Sequence, residues 1–585
     1  MSILAALVRA YDRLPASDRP PVGYSMEKIS FLISLYPDGS VAHVADLRAG
    51  EGRKKQPRMM LVPQGAKRTV GIASNFLWDK TSYVLGITAG AGKRTAEEHA
   101  AFVELHEQAL TNTSDEGLQA LLLFLRAWSP EQFTAPFWPE EMKDQNVVFA
   151  LESERLNETC LHDRPAASAL VARRRATGET TRATCLVSGE SEPVARLHPS
   201  IKGVWGAQSS GASIISFNLD AFESYGHSQG DNAPVSERAA FAYTTMLNRF
   251  LERGSGHRLQ IGDASTVFWA DSSNATIAKT AESIFAAMVE PDADINDAVR
   301  HVGAVLQRIR RGEPMQDIDP GLAEGVRFHV LGLSPNAARL SVRYWFDDDF
   351  GALAENYQRF TLEMRMEPPP PEPWPPLWRY LRETAVLGKS ENVAPNLAGE
   401  WMRAILTGSR YPLTLLSSVL SRMRADGQVN ALRASMLKAV LIRNYRKEAP
   451  VALDPAETNK GYLLGRLFAI YEEIQRAAHG GRVNATIKDK FYGSASATPR
   501  RVYPALDRGA ANHLAKLGKL NPGRKVNLTI LLGEVMDRMA PGGDPFPVSL
   551  AAPDQALFAL GYFHQHSDFF RKREKTGSAR NEHED

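Results

Sequence analysis

The sequence predicts an α+β N-terminal region followed by an all-α helical bundle. Three observations carry that reading. Through about residue 365, stretches of alternating apolar and polar residues are interleaved with helical spacing. At 368–376 the chain reads PPPPEPWPP, seven prolines in nine residues, a composition that favours stiff extended chain. Beyond it, six successive segments place apolar residues three and four apart. The expected domains are therefore 1–366, α+β; 367–376, a proline-rich linker; and 377–585, a helical bundle.

Taken in order, 3–11 predicts a short amphipathic helix with Ile3, Leu4, Leu7, Val8 and Tyr11 on one side. Its charges follow the apolar run and no small-residue cleavage site comes after it, so a packed helix is expected rather than a signal peptide. The stretch 27–47 alternates as KISFLISLY, turns at Pro37-Asp38-Gly39 and resumes as SVAHVADL, a hairpin pattern. Helices are expected at 97–111 and 116–128. A second strand-rich section opens near 184 with CLVSGES and continues with IISFNL at 214–219. A helix at 238–251, a strand at 266–269, helices at 276–288 and 295–310, and a strand at 339–346 complete the first region. The bundle helices are expected at 412–423, 429–445, 462–478, 502–517, 528–539 and 554–570. The polar stretch 484–499 between two of them reads as a loop, and the last residues as a frayed tail.

Length and composition bound the function. The 585 residues exceed one core and suggest two to four domains. Two cysteines without a CxxC partner argue against a disulfide scaffold or zinc ribbon and fit a reducing, cytoplasmic compartment. No apolar run approaches the roughly 18 residues of a membrane span, so no membrane partner is expected.

No motif points to catalysis, metal or cofactor chemistry. GITAGAGKRT at 86–95 fails the phosphate-loop pattern twice, with Ile87 where glycine belongs and Arg94 after the lysine. His162-Asp163 lacks a supporting His/Asp set; His99 with His106 is expected as a surface pair, His564 and His566 beside Asp568 as solvated or capping side chains on different helix faces, and Asp347-Asp348-Asp349 as a strand end in solvent. The sites expected are surfaces. Lysine plus arginine number 69 against 67 acidic residues, so a local cationic excess is placed rather than inherited. From 48 to 80 there are eight Lys/Arg against Glu51 and Asp79, among Gly, Pro, Gln and Asn. From 482 to 525 there are ten against Asp489 and Asp507. Cations attract phosphate and amides read base edges, so two such segments suit a long polyanion. Between them KGVWGAQSSG, 202–211, offers a cation, Trp205 and Gln208 on a pliant backbone, which suits either an approach to a nucleic-acid backbone with an aromatic to stack or wedge, or a structural loop whose tryptophan fills the core.

At this point the residues resemble a known family, the large subunit of the type I-C CRISPR effector complex (Cascade), of the Csd or Dvulg subtype. The similarity runs nearly end to end. It includes PVGYSMEKISF at 21–31, LVPQGAKRTVGIASNFLWDKTSYVLGI at 61–87, ARLHPSIKGVWGAQSSGASIISFNLDAFESYG at 195–226, NAPVSERAAFAYTTMLN at 232–248, GYLLGRLFAIYEEIQ at 461–475 and NATIKDKFYGSASATP at 484–499. The resemblance implies a non-catalytic, RNA-guided DNA-surveillance subunit. Its partners would be CRISPR RNA, target double-stranded DNA, the backbone, handle-binding and small subunits of the complex, and a helicase-nuclease. It would check the short protospacer-adjacent motif (PAM) and help separate the strands, while base pairing reads the sequence. Its helical C-terminal part would resemble the complex's small subunit, with Met423 and Met436 as candidate internal starts for a separate product.

On this reading Arg53, Lys54, Lys55, Arg58, Lys67 and Arg68 hold duplex phosphates, and Gln64 and Asn75 reach base edges. Trp205 or Gln208 wedges the first base pair beyond the motif. Lys488, Lys490, Arg500 and Arg501 line a single-strand track on which Phe491 or Tyr492 stacks. Two rival expectations remain open: a structural scaffold that binds only the RNA handle and its neighbours, and a DNA-cleaving enzyme.

Overall fold

A computed structural model describes the chain except for residues 1, 51–54, 67, 69–70, 177–180, 218, 291–296, 481–484, 540–543 and 572–585, and the side chains of 175–176 and 297–301. The expected tail at the C-terminus lies outside the described residues. The fold is a mixed α+β region with small sheets, followed by helices.

The chain forms two compact units. One comprises Ser2–Ser200 and Ile215–Leu247. The Ile3–Asp12 helix buries Leu7, Val8 and Tyr11. A two-stranded ribbon pairs β1 (Tyr24–Ile29) with β4 (Arg58–Pro63), antiparallel. The main sheet orders β3 (Val41–Asp46), β2 (Phe31–Leu35), β6 (Asn146–Leu151) and β5 (Trp78–Lys80). The expected hairpin is β2 with β3. The β2–β6 pair is parallel, and both strands are almost wholly buried, as parallel strands covered on both faces require. Helices Thr95–Leu110 and Glu116–Ala127 contribute Phe102, Leu118, Leu121 and Phe124 to the same core. The CLVSGES segment forms mainly the turn between β7 (Arg182–Thr184) and β8 (Ser191–Pro193).

The other unit comprises Ile201–Ile214 and Asn248–Asp585. An antiparallel meander runs β9 (Arg258–Ile261), β10 (Ala264–Asp271), β11 (Arg327–Asn336) and β12 (Arg339–Asp349). Phe268, Phe328 and Phe346 from this sheet join one continuous apolar core with Trp401, Leu437, Leu467 and Phe558 of the helices. Helices Lys460–Ala478 and Ala552–Phe570 approach so closely that a methyl at Gly465 would overlap the Phe558 carbonyl, and one at Gly561 the Tyr462 carbonyl.

Three expectations need correction. The proline segment does not separate two cores: it lies within this second unit, flanked by the shared core, with Met366 and Pro370 buried and Glu367 N donating to Val451 O at 2.9 Å. The IISFNL stretch is not a strand, because Ala212 and Ser213 make single bridges to Ile201 and Arg339 and no further pairing follows among the described residues. The stretch 484–499 is largely a helix, Ile487–Ala497, nucleated by a capping box in which Thr486 and Asp489 satisfy each other's backbone N–H groups.

Candidate nucleic-acid interface

The cations of 48–80 are positioned by β3, β4 and the loop that leads to β5. Their carboxylate neighbours are Asp46 just before the segment, Asp79 within it, and Glu158 from elsewhere in the same unit. Arg48 pairs with Asp46 at 2.8 Å and lies over the Phe31 ring at 4.7 Å. Lys55 reaches the other oxygen of Asp46 at 2.7 Å. Asp46 is held far below the usual carboxylate range, first by the Arg48 hydrogen bond and further by Lys55. Arg58 pairs with Glu158 at 2.6 Å, both side chains being well exposed. Arg68 forms an ion pair with Asp79, donates to Ala73 O at 2.7 Å and stacks on Tyr83 at 4.0 Å. Burial pushes the Asp79 carboxyl up even though Arg68 and two backbone N–H groups pull it down. The described arginines here and Lys55 therefore face acids of the same unit rather than solvent alone. Arg53, Lys54 and Lys67 lie outside the described residues.

Gln64 is exposed, on the loop just after β4. Asn75 is not available as a base reader. It is only 6% exposed, its Oδ1 accepts from Ala66 N at 2.9 Å, and its own N donates to Asp79. Its carbonyl edge is spent on closing the loop from inside.

The glycine-rich loop is closed at its base by a reciprocal Ile201–Ala212 bridge. Gly203, at φ +88°, packs its Cα against the Leu251 carbonyl, where a Cβ would come within 3.0 Å. Val204 is buried and fastens the loop, and Trp205 N donates to Ser265 Oγ at 2.9 Å. The next side chain points out: Trp205 is 64% exposed, and Gln208 is exposed beside it. This tryptophan fills no core.

The C-terminal block divides sharply. Tyr492 is 3% exposed, within 6.0 Å of the Phe468, Phe558 and Tyr562 rings, so it cannot stack on a base. Phe491 is half-buried against the core. Lys488 sits 5.3 Å from the Tyr562 ring, and Arg500 pairs with Asp544. Lys490 and Arg501 are exposed. Arg501 opens a longer feature that residue-by-residue reading missed. The Pro499–Leu520 helix buries Val502, Tyr503, Leu506, Ala510 and Leu517 on one side. On the opposite side Arg501, Arg508, Lys516 and Lys519 recur with Asn512 between them, all exposed. Spacings of seven, eight and three keep them on one stripe, about 27 Å long at about 1.5 Å per residue. Among the described residues no carboxylate pairs with Arg501, Arg508 or Lys519, and Lys516 approaches His479 at 3.3 Å. The signal was present in the sequence as helical periodicity of charge.

Other weighed groups are structural, and His106 and His564, expected at the surface, are both buried. His106 is buried between Leu77 N and Phe102 O. His564 bonds Tyr462 Oη at 3.0 Å, and Asp347 pairs with Arg327. Cys160, His162 and Asp163 bring one donor atom each within 4.8 Å, the Cys-x-His-Asp spacing being the signal that a reading of His162-Asp163 alone overlooked. Asp163 there accepts from Cys160 N at 2.8 Å as a turn cap. No helix among the described residues is long and apolar enough to cross a membrane.

The geometry defines a class first: a mixed α+β and helical protein whose charged and aromatic features of interest lie on surfaces. The particular family follows from the whole chain. It belongs to the Cas_Csd1 family of CRISPR-associated proteins, whose profile matches residues 7–570. No curated protein matches it.

Proposed function

We propose that this protein is the non-catalytic large subunit of a type I-C RNA-guided CRISPR surveillance complex, binding DNA next to a guide RNA. The observation that carries this reading, beside family membership, is the exposed cationic stripe Arg501–Arg508–Lys516–Lys519 on a single long helix. A row of cations without acidic partners attracts a phosphate backbone and releases its counterions on contact. Lys490, exposed on the preceding helix, extends the same chemistry.

The duplex motif is read from the loop that carries Gln64, with Lys55 and Arg58 holding phosphates. Their present partners do not forbid this, because exposed ion pairs are worth only about 0–1 kcal/mol and a phosphate can displace the carboxylate. Trp205, fixed by its backbone and free at its ring, wedges the first base pair beyond the motif. Unstacking costs a few kcal/mol, which guide pairing offsets. The helicase-nuclease, and not this chain, cuts the strand.

The scaffold reading has one observation in its favour: the described cations at 48, 55, 58 and 68 all sit against carboxylates. Substitution of Gln64 by alanine separates the two readings. Assembly with guide RNA should persist in both. Loss of discrimination between duplexes with and without the motif supports the reader, and unchanged discrimination and affinity support the scaffold. Cleavage of labelled DNA by the purified chain with Mg²⁺ or Mn²⁺, surviving further purification, would contradict both.

A further inference from the structure

Between Lys202 and Arg238 the chain has no lysine or arginine, yet it holds Asp220, Glu223, Asp231 and Glu237. Within this acidic stretch a small turn is built with unusual care. Ser224 and His227 form an antiparallel bridge, and His227 N donates to Ser224 O at 2.9 Å. Tyr225 and Gly226 are the central residues, at φ of 52° and 76°. Glycine accepts that backbone freely; a tyrosine does not, and Asn, Asp or Gly is the usual occupant of the first position.

The turn is held from behind. Asn232 Oδ1 accepts from Ser224 N at 3.1 Å, and its Nδ2 donates to His227 O at 3.1 Å and Gln229 O at 3.0 Å. Gln229 Oε1 in turn accepts from Arg196 Nε at 2.7 Å. Gly230 lies so close to Ala195 that a methyl there would overlap the Ala195 carbonyl. All of this fixes the position of a ring that touches almost nothing: Tyr225 is 98% exposed, and Leu219 nearby in sequence is 56% exposed. A strained, braced backbone that presents an aromatic side chain to water points to a function at this turn.

We propose that residues 219–231 are a docking element for a protein partner, with Tyr225 as the anchor. The partner surface is an apolar pocket rimmed by lysine or arginine. Charge decides the class of partner. Asp220 and Glu223, both exposed and shortly before the anchor in sequence, repel a phosphate backbone, whereas they complement a basic rim. Tyrosine is suited to such a role because it buries a large area with few rotatable bonds, and a prefixed turn lowers the ordering cost of association. This inference does not rest on the DNA-binding reading and stands or falls separately.

The test places a photoreactive side chain at the anchor, Tyr225→p-benzoylphenylalanine, in the full chain expressed with its native neighbouring proteins. The expected result is one dominant adduct that survives nuclease digestion. Its cross-linked peptide, identified by mass spectrometry, should be apolar and flanked by Lys or Arg. Adding Glu223→Lys, or Asp220→Lys with Glu223→Lys, should lower the adduct yield by about tenfold. Reversing the identified basic residues of the partner to Glu should restore it. A nuclease-sensitive adduct, no adduct, or an adduct indifferent to both charge reversals would overturn the proposal.

Discussion

Arg68 and Asp79 form an ion pair in which the carboxylate is 1% exposed and the guanidinium side chain 28%. Eleven residues apart in sequence, they fasten the loop between β4 and β5 onto the sheet. A cation that looks free in the sequence is thus committed to a buried acid. Removing one partner of a buried pair leaves an uncompensated charge, at a cost of about 3–5 kcal/mol in fully buried cases. Arg68→Ala should therefore destabilise the protein by about 3 kcal/mol in chemical denaturation. The exposed Lys55→Ala should cost no more than about 1 kcal/mol.

Asn75 makes a related prediction. Asn75→Ala removes the acceptor for Ala66 N, and a lost loop hydrogen bond costs about 1–3 kcal/mol. Gln64→Ala, exposed just after β4, should leave the midpoint unchanged. If Asn75→Ala instead leaves stability intact and abolishes motif discrimination, the amide was a base reader after all.

The pH dependence of folding should carry the mark of His106. Burial pulls its imidazole from 6.5 down to about 4. Between those values the unfolded chain takes the extra proton and the folded chain does not. Stability is full above about 6.5 and falls as pH drops toward 4, by at most about 1.4 kcal/mol per unit from this residue. His106→Gln should flatten that part of the stability profile. His564, pulled to about 4 by burial, should contribute a second decline of the same sign.

Trp205 and Gly203 separate function from framework within one loop. Trp205→Ala removes an exposed ring and should leave thermal stability unchanged while slowing strand opening, read by a fluorescent base placed beside the motif. Gly203→Ala meets both a positive φ and the Leu251 carbonyl, so it should destabilise by about 1 kcal/mol or more. Equal stability losses for both variants would place the tryptophan in the framework.

Much of the fold was legible because period is a local property. The β2–β3 hairpin and the helices Ala431–Tyr445, Lys460–Ala478 and Ala552–Phe570 follow from alternation or helical spacing alone. The capping box at Thr486 and Asp489 was also visible, but its small polar residues resembled a loop. The core shared by β10–β12 and the helices was not legible, since a run of proline marks stiffness and not the end of a core. The site was legible as composition and less so as geometry. Arg58 meets Glu158 across 100 residues, and no spacing rule announces such a pair. The surface stripe was different: Arg501, Arg508, Lys516 and Lys519 obey the same periodicity as the apolar face behind them.

That stripe offers the most direct test of DNA binding. The full chain, and the assembled complex, should be titrated with single-stranded DNA over a range of salt, comparing the native protein with Arg501→Ala, Arg508→Ala and Lys519→Ala combined. Each phosphate contact contributes about 0.7 to the slope of log affinity against log salt on a single strand. Native thermal stability with a slope shallower by about 2 is the predicted result. An unchanged slope and affinity in the triple variant would show that the exposed cations grip no nucleic acid, and would contradict the proposed function at its base.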